Sequence, residues 1–117
     1  MMKKFLTHPI GIDQGEAVVF SEFADGGDMS IGEGPRERRA TIRFNEVFRS
    51  VPVVQISVSL WDVDTSSALR AELFADNITP KGFDAVFRTW SDTRIARIRV
   101  TWTATGEVSH PDDWEIS

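Results

Sequence analysis

The chain has 117 residues, which is enough for one domain with a buried core and too few for two domains. Thirteen basic and 18 acidic side chains give a formal charge of -5, which argues against a protein that binds polyanions through net charge. Cysteine is absent, and this excludes disulfides, thiol nucleophiles and thiolate metal ligands. With 11 Val, 9 Ile, 8 Phe and 4 Trp against only 4 Leu, the composition predicts an all-β domain.

An alternation of apolar and polar residues predicts six β-strands along the chain. The predicted strands span Glu16 to Phe23, Arg38 to Phe44, Val53 to Leu60, Leu69 to Ile78, Phe83 to Thr89 and Ile95 to Ala104. The third of them has the clearest alternation, with an apolar residue at every second position and Gln or Ser between. On the same alternation, four residues near strand ends are expected to face the core: Leu60, Leu69, Ala71 and Ala96.

The segments between the predicted strands carry residues that favour turns. Thr79-Pro80-Lys81-Gly82 predicts a tight turn and therefore a hairpin, since Pro presets φ and Gly supplies positive φ. Two Gly-rich segments, Ala24 to Asp28 and Ser30 to Pro35, predict loops before the second strand. Six short antiparallel strands with this spacing are typical of a small β-sandwich.

Charge is distributed unevenly and divides the chain into three segments. Residues 1–35 contain two bases and six acids, residues 36–105 eleven bases and eight acids, and residues 106–117 four acids and no base. We expect residues 1–35 to supply the first strand and a Gly-rich loop to the same domain as the arginine-rich body at 36–105. Residues 106–117 form an acidic tail without periodicity, which is either mobile or pinned by Trp114.

The sequence offers little catalytic chemistry. His8 and His110 lie near the termini and no metal-ligand spacing is present, so neither a metal site nor a cofactor is expected. Signatures of a serine nucleophile or a phosphate-binding loop are absent. Asp62 and Asp64 form a carboxylate pair that in an enzyme acts as acid and base, but at a strand end such residues more often accept backbone N–H bonds in a turn. We therefore expect no catalytic residues and no enzyme.

Trp90, Arg70 and the Gly-rich loop from Ser30 to Arg36 have no evident structural role. Trp90 has outward parity at a strand end, where an indole either covers a subunit interface or offers its face to a ligand. Sugars suit the second role, because their C–H faces stack on aromatic rings while their hydroxyls bond Asp, Glu and Arg. Parity alone leaves both interpretations open.

Outward-facing arginines suggest another use of the surface. They are Arg43, Arg70, Arg88, Arg97 and Arg99. Together with Trp61 or Trp90 they could form a face for nucleic acid. Outward acids alternate with them, namely Glu72, Asp76 and Asp84. Cross-strand ion pairs are thus the simpler explanation, and no nucleic-acid partner is expected. A polar oligomer interface has the same composition.

Several spaced segments of the chain resemble the H-type lectin domain family. They are Pro52 to Asp64 (PVVQISVSLWDVD), Leu69-Arg70, Thr79 to Phe83 (TPKGF), Thr89 to Arg94 (TWSDTR) and Val100 to Trp102 (VTW). The resemblance covers about residues 36–104, which is more than half of the chain, and is weaker over residues 1–30.

The resemblance implies a six-stranded antiparallel β-sandwich that assembles as a homotrimer, sometimes doubled into a hexamer, with sugars bound between protomers. It assigns the sugar-contacting arginine to Arg70, the aromatic wall to Trp90 followed by Ser91, and the acidic loop residue to Glu33. The implied partner is a glycan, with galactose-type amino sugars as the expected class. Ser91 replaces a His of the family and Ala96 a Tyr, and both smaller residues offer less contact.

Two functions from different classes follow. The first is a carbohydrate-binding, lectin-like module of the cell-adhesion kind. The second is a structural or host-attachment component of a bacterial phage-like particle that keeps the trimeric sandwich without strong sugar binding. In either, the outward faces bearing Arg43, Arg97 and Arg99 are expected to contribute to the trimer contacts.

The N-terminal residues bear on where the chain is made. Met1 to Phe5 contains two lysines but precedes no apolar run of signal-peptide length, and no segment approaches a membrane span of roughly 20 apolar residues. We therefore expect synthesis in the cytoplasm, later release or association with a particle, and no insertion into a membrane.

Overall fold

A computed structural model describes residues 1–6, 8–21, 29, 32–66 and 68–110. Within these ranges lie six strands: β1 (Ile10–Ser21), β2 (Arg36–Arg43), β3 (Val53–Val63), β4 (Ala71–Thr79), β5 (Gly82–Thr89) and β6 (Ile95–Glu107). The predicted all-β class with six antiparallel strands is confirmed. In the described part of the chain, no helix has the length and apolar character needed to cross a membrane.

The strands form two three-stranded antiparallel sheets. Sheet I has the order β1-β6-β3, and sheet II has the order β2-β5-β4. The two central strands supply most of the core, through Phe83, Ala85 and Phe87 of β5 and Ile98, Val100, Trp102 and Ala104 of β6. These seven residues are predicted to face inward from the alternation alone, and all seven are buried.

Aromatic rings fill the space between the sheets at the end where β5 begins. The ring of Phe44 lies 5.0 Å from Phe48, 5.8 Å from Phe83 and 5.8 Å from Trp102, measured between centroids. Tilted and edge-to-face pairs at these distances contribute stability beyond their buried area. The core is therefore anchored by Phe44 just after β2.

Two β-bulges reverse the predicted faces of residues near strand ends. The register between β3 and β6 shifts at Ser59, so Leu60 pairs with Arg99 on the outer face rather than facing the core. It shifts again at Ala96, so the fully buried Ile95 occupies the inner position that was predicted for Ala96. A bulge inserts one unpaired residue, which moves every following side chain to the other face.

Strands of sheet I extend beyond their predicted ends where glycine takes inner positions. β1 begins at Ile10 rather than Glu16, and a Cβ at Gly15 would lie 3.0 Å from the ring of Trp102. β6 continues past Ala104 through Gly106, where a Cβ would lie 3.1 Å from Phe48. The apolar alternation cannot reveal these extensions because the inner residues there are glycines and the polar Asp13.

Leu69 and Ala71, predicted to face the core, are exposed. Leu69 lies before β4, in a segment that is bonded to the loop after β5 instead of to a sheet. Ala71 is the first residue of the edge strand β4. The predictions for residues 22–28, 30, 31 and 111–117, including Trp114, lie outside the described residues.

The predicted hairpin joins β4 to β5. Thr79 pairs with Gly82 around Pro80 and Lys81, so the predicted turn is present. The positive φ expected of Gly82 is not found, since Gly34 is the described glycine with a positive φ. Gly82 instead permits a close approach of the strands, because a Cβ there would overlap the backbone of Ile42. The two turn carbonyls then accept hydrogen bonds from the loop after β2: that of Lys81 from the N–H of Phe44 at 3.0 Å and that of Pro80 from the N–H of Phe48 at 2.9 Å. The hairpin therefore also fixes the loop that carries the central aromatic residues.

Candidate functional site

The candidate residues lie at the end of the sandwich where β2, β4 and β6 begin and β5 ends. Two loops meet there, one just before β2 and one between β5 and β6. The N–H of Gly34 in the first loop donates to the carbonyl oxygen of Ser91 in the second at 2.9 Å. This bond places Glu33 beside the loop that carries Trp90 and Ser91.

Arg36 joins the two loops from the inside and is only 9% exposed. Its Nε donates to the carbonyl oxygen of Gly34 at 2.9 Å, and its Nη2 donates to those of Ser91 at 3.2 Å and Thr93 at 2.6 Å. A planar guanidinium presents its donors in a fixed fork, which suits several carbonyl oxygens at once. Arg36 therefore positions the loops around the site.

Two buried threonines fix the backbone of Arg70. The hydroxyl of Thr93 donates to the carbonyl oxygen of Ala68 at 2.6 Å and accepts the N–H of Arg70 at 2.9 Å. The hydroxyl of Thr89 donates to the carbonyl oxygen of Arg70 at 2.6 Å. The Arg70 side chain consequently extends from a fixed point just before β4.

The Arg70 side chain itself faces solvent. The side chain is 43% exposed, and Nη1 lies 3.3 Å from the Asp92 carboxylate. This contact uses one of the five N–H donors of the guanidinium, so hydroxyl or carboxylate groups of a ligand can accept the others. Asp92 limits the directions in which the guanidinium can point.

Trp90 follows β5 directly and is 41% exposed. It borders a groove of about 270 Å³. The other residues that line this groove, here called the Trp90 groove, are Pro35, Arg36, Glu37, Glu72, Arg88 and Thr89. An exposed indole beside carboxylate and guanidinium groups can stack on a flat apolar face while the charged groups bond hydroxyls.

Glu33 and Ser91 occupy the two joined loops. The Glu33 carboxylate is exposed and lies 3.6 Å from Arg94. Ser91 has a φ of 61°, in the left-handed region that is uncommon for residues other than glycine. Its carbonyl oxygen is the acceptor for both Gly34 and Arg36, so the strained residue is held by bonds from the other loop.

The structure brings Arg70 and Trp90 together across sheet II. Because Ala71 pairs with Thr89, Arg70 and Trp90 are opposite each other just beyond the last pair of the ladder. Glu33 is joined to Ser91 through Gly34, and its own ion pair is with Arg94 rather than Arg70. The four candidates thus share one end of the domain as two adjacent pairs.

Ion pairs hold the outer face of sheet II beside this site. Arg39 lies 3.0 Å from Glu37 and 2.9 Å from Asp76, and Arg88 lies 2.7 Å from Glu37. Hydrogen bonds from Arg88 and Arg39 hold the pKa of Glu37 below its usual value. Cross-strand ion pairs are present as predicted for Asp76, Asp84 and Arg88, but their partners are Arg39 and Glu37. The prediction is wrong for Glu72, which has no ion pair among the described residues.

The structure separates the carboxylate pair at the end of β3. Asp62 lies within the strand, because β3 continues to Val63. Asp64 accepts the N–H of Ser66 at 2.9 Å, and this bond, with one from the Ser66 side chain, lowers the pKa of Asp64. The predicted turn role is therefore confirmed for Asp64 and is wrong for Asp62.

Both histidines lie near the end of β6, at the opposite end of the sandwich from the candidate site. Nδ1 of His8 is 3.0 Å from the carboxylate of Glu107, and His110 follows the end of β6. Across the described ranges, no group of three or more His, Cys, Asp or Glu side chains is placed to hold a metal ion.

Sequence reasoning assigned no site role to Arg36, Thr93 or Glu72. A signal for Arg36 exists, because it has the same strand parity as the buried Ile42. Burying a charged side chain is unfavourable unless the side chain is hydrogen-bonded. An inward-facing arginine therefore indicates that several hydrogen-bond acceptors surround it. Thr93 and Glu72 have no comparable signal, since their contacts come from loops and strands that only the fold brings together.

Residues 39–105 match the family model of the H-type lectin domain. The chain is 50% identical over 107 residues to a Fuscovulum blasticum protein called ATP synthase subunits region ORF 7, covering 92% of this chain and 93% of that protein. It is 30% identical over 105 residues to a discoidin-1 chain of Dictyostelium discoideum, covering 87% of this chain and 41% of that protein.

The fold is similar to that of discoidin II from Dictyostelium discoideum. The native structure of the recombinant protein gives a TM-score of 0.74 at 27% identity, covering 86% of this chain and 38% of that one. The chain therefore spans about two fifths of the discoidins and almost the whole Fuscovulum protein. Its two antiparallel sheets have a discoidin-like arrangement, and the chain belongs to the H-type lectin domain family.

Proposed function

We propose that this chain is a carbohydrate-binding module without catalytic activity, and that its sugar site lies at the end of the sandwich formed by Arg70, Trp90, Ser91 and Glu33. The exposed indole of Trp90 opposite Arg70, at the junction of two clamped loops, is the observation that carries this proposal. The indole stacks on the C–H face of a sugar, and Arg70 donates to its hydroxyls. Galactose-type amino sugars are the proposed class.

The site is completed, in this proposal, by a neighbouring protomer of a homotrimer. On one protomer the groups are spread along an exposed edge, which favours a ligand that also contacts a second chain. The outer face of sheet I supports an association surface, since it exposes Ile12, Val18 and Val53 beside Arg97 and Arg99. Arg43, expected to share this surface, lies on sheet II instead. Pairing of two trimers would give a hexamer.

Glycan-array binding of the wild-type chain and of Arg70→Ala and Trp90→Ala tests the site. Both variants should lose binding, and Trp61→Ala is a matched control because Trp61 is 55% exposed but lies on the edge strand β3. Mass in solution tests the assembly and should equal three chains or six. A stable trimer that binds no glycan would refute the sugar-binding proposal, and a monomer would refute the shared site.

The second candidate is a structural or host-attachment component of a phage-like particle, made in the cytoplasm and then released or assembled. It is favoured by Ser91 and Ala96, which are small where the family has larger residues and so reduce the contact with a sugar. Under this proposal the trimer forms, glycan affinity is weak, and the chain sediments with particles in a lysate. Recovery only as a free trimer would contradict it.

A third possibility, nucleic-acid binding by the arginine face, predicts a different response to salt. Arg39 and Arg88 are engaged by Glu37 and Asp76, which leaves fewer cations for phosphate. Phosphate binding weakens steeply as salt rises, whereas stacking on Trp90 and hydrogen bonding to hydroxyls change little. Affinity for an uncharged sugar that is stable across a salt titration supports the sugar site.

A further inference from the structure

The Trp90 groove contains one charged group that is not engaged within the protomer. Arg36 donates to backbone carbonyl oxygens, and Arg88 lies 2.7 Å from Glu37. The remaining charged residue of the lining is Glu72. Among the residues that the structure describes, the Glu72 carboxylate has neither an ion pair nor a hydrogen bond.

The cations nearest to Glu72 along and across the sheet have other partners. Glu72 lies opposite Arg88 in the register of sheet II, but Arg88 is directed to Glu37 and lies over the ring of Phe74, 4.8 Å from its centroid. Arg70, two residues before Glu72, is 3.3 Å from the Asp92 carboxylate. Glu72 therefore places a carboxylate without a cationic partner beside an exposed indole.

A carboxylate next to an aromatic face is suited to a ligand cation. The ring quadrupole attracts a cation placed over it, and the carboxylate accepts its N–H donors. We propose that the Trp90 groove is a subsite for a cationic substituent of the glycan, namely the free ammonium group of a hexosamine. This inference rests on the proposed sugar-binding function and specifies its ligand. An N-acetyl group carries no charge and offers one N–H donor instead of three, so it gains less from the Glu72 carboxylate.

Titration of the purified chain with three monosaccharides tests the preference. The probes are galactosamine, N-acetylgalactosamine and galactose, followed by calorimetry or indole fluorescence at about pH 6. An amine with a pKa of about 7.7 to 8.0 is charged at that pH. We expect galactosamine to bind about fivefold to tenfold more tightly than the other two, as one exposed ion pair and one cation–π contact provide. The preference should shrink as salt rises.

Glu72→Gln is the decisive variant, since it keeps the shape of the side chain and removes the charge. Glu46→Gln is its matched control, because Glu46 is exposed in the loop after β2, at the other end of the sandwich. Glu72→Gln should reduce the preference for galactosamine over N-acetylgalactosamine and galactose to less than about twofold. Glu46→Gln should keep the wild-type preference, which shows that the total charge of the chain is not responsible.

The possible results separate this inference from the function on which it rests. If no glycan or monosaccharide binds, the proposed function fails and the inference fails with it. If sugars bind with equal affinity, or if the preference for galactosamine survives in Glu72→Gln, the inference is refuted and the sugar site stands. Equal loss of all three sugars in Glu72→Gln also refutes it, because Glu72 would then contact hydroxyls rather than an ammonium group.

Discussion

The guanidinium of Arg36 donates a hydrogen bond of 2.6 Å to the carbonyl oxygen of Thr93 and so ties the start of β2 to the loop after β5. The hydroxyl of Thr93 in turn bonds the backbone of Arg70 at 2.9 Å. One buried side chain is thus connected, through a single loop residue, to the proposed sugar-binding arginine. The geometry of the exposed site depends on these buried groups.

Replacement of Arg36 should destabilise the protein strongly. Arg36→Ala leaves buried carbonyl oxygens of the two loops without their donor, and we expect the free energy of unfolding to fall by about 2 to 4 kcal/mol. Arg36→Lys keeps the charge but not the fork and should lose about half as much. Urea denaturation measures both. Arg43→Ala, at an exposed position of β2, should change stability by less than about 0.5 kcal/mol, and an equal loss there would contradict the role of Arg36.

Thr93→Val tests whether the buried hydroxyl positions Arg70. The substitution keeps the volume but removes the bonds to Ala68 and Arg70, and it should lower the free energy of unfolding by about 1 to 3 kcal/mol. Glycan affinity should fall together with stability, because the backbone before β4 loses its anchor. Thr65→Val, at an exposed position in the turn after β3, is the control. A variant that loses stability but binds glycan normally would show that Thr93 serves the fold alone.

Alternation in the sequence predicts the strands whose inner positions are apolar. It is sufficient for β5, where Phe83, Ala85 and Phe87 are all buried, and it identifies the hairpin at Gly82 from turn chemistry. It fails where a bulge changes the parity, as at Ser59, because an inserted residue has no compositional signature. The local pattern therefore predicts which segments form strands, but not on which side of the sheet every side chain lies.

The candidate site is less accessible to sequence reasoning than the fold. Arg70 and Trp90 are recognisable from the family resemblance, and the structure places them opposite each other. The residues that position them cannot be predicted in the same way. Arg36 and Thr93 are 57 residues apart in the chain and come into contact only in the folded structure. That Glu72 has no ion pair cannot be predicted either, because it depends on the carboxylates with which Arg70 and Arg88 pair in the fold.

The aromatic core should be far more sensitive to truncation than the aromatic residue outside it. Phe83 is 2% exposed and lies between Phe44 and Trp102, so Phe83→Ala should cost about 3 to 5 kcal/mol through lost burial and a cavity. Phe74 is partly exposed on the outer face of sheet II under Arg88, and Phe74→Ala should cost about 1 to 2 kcal/mol. Similar losses in chemical denaturation would contradict the assignment of the core.

Acid should destabilise the protein through carboxylates on sheet II. Asp84 accepts hydrogen bonds from Asn77 and Thr41, both at 3.0 Å, and these hold its pKa below the ordinary value of 3.8. A lowered folded-state pKa gives stability that is present above the unfolded pKa and is lost as the pH falls through the folded one. The melting temperature should thus be steady above about pH 5 and fall below about pH 4.

Asp84→Asn isolates the contribution of this carboxylate to the pH profile. The amide does not titrate, so the variant should be less stable than the wild type at neutral pH and should lose less stability in acid. Glu37 and Asp64, whose pKa values are also lowered, account for the decline that remains. Asp62→Asn is the control outside this cluster. An unchanged acid slope in Asp84→Asn would show that its bonds do not stabilise the folded state.

Two glycines should respond to alanine for different physical reasons. A Cβ at Gly82 would overlap the carbonyl oxygen of Ile42 in the adjacent strand, so Gly82→Ala must push β2 away from β5 and should cost about 3 kcal/mol. Gly34 has a φ of 77° and no atom within 4 Å of the point where a methyl group would lie, so Gly34→Ala should cost only the left-handed penalty of about 1 to 2 kcal/mol. The shift of the denaturation midpoint measures both losses, provided that the dependence of the unfolding free energy on denaturant concentration is unchanged. A larger loss at Gly34 than at Gly82 would mean that the close approach of β2 and β5 is not what requires glycine in the hairpin.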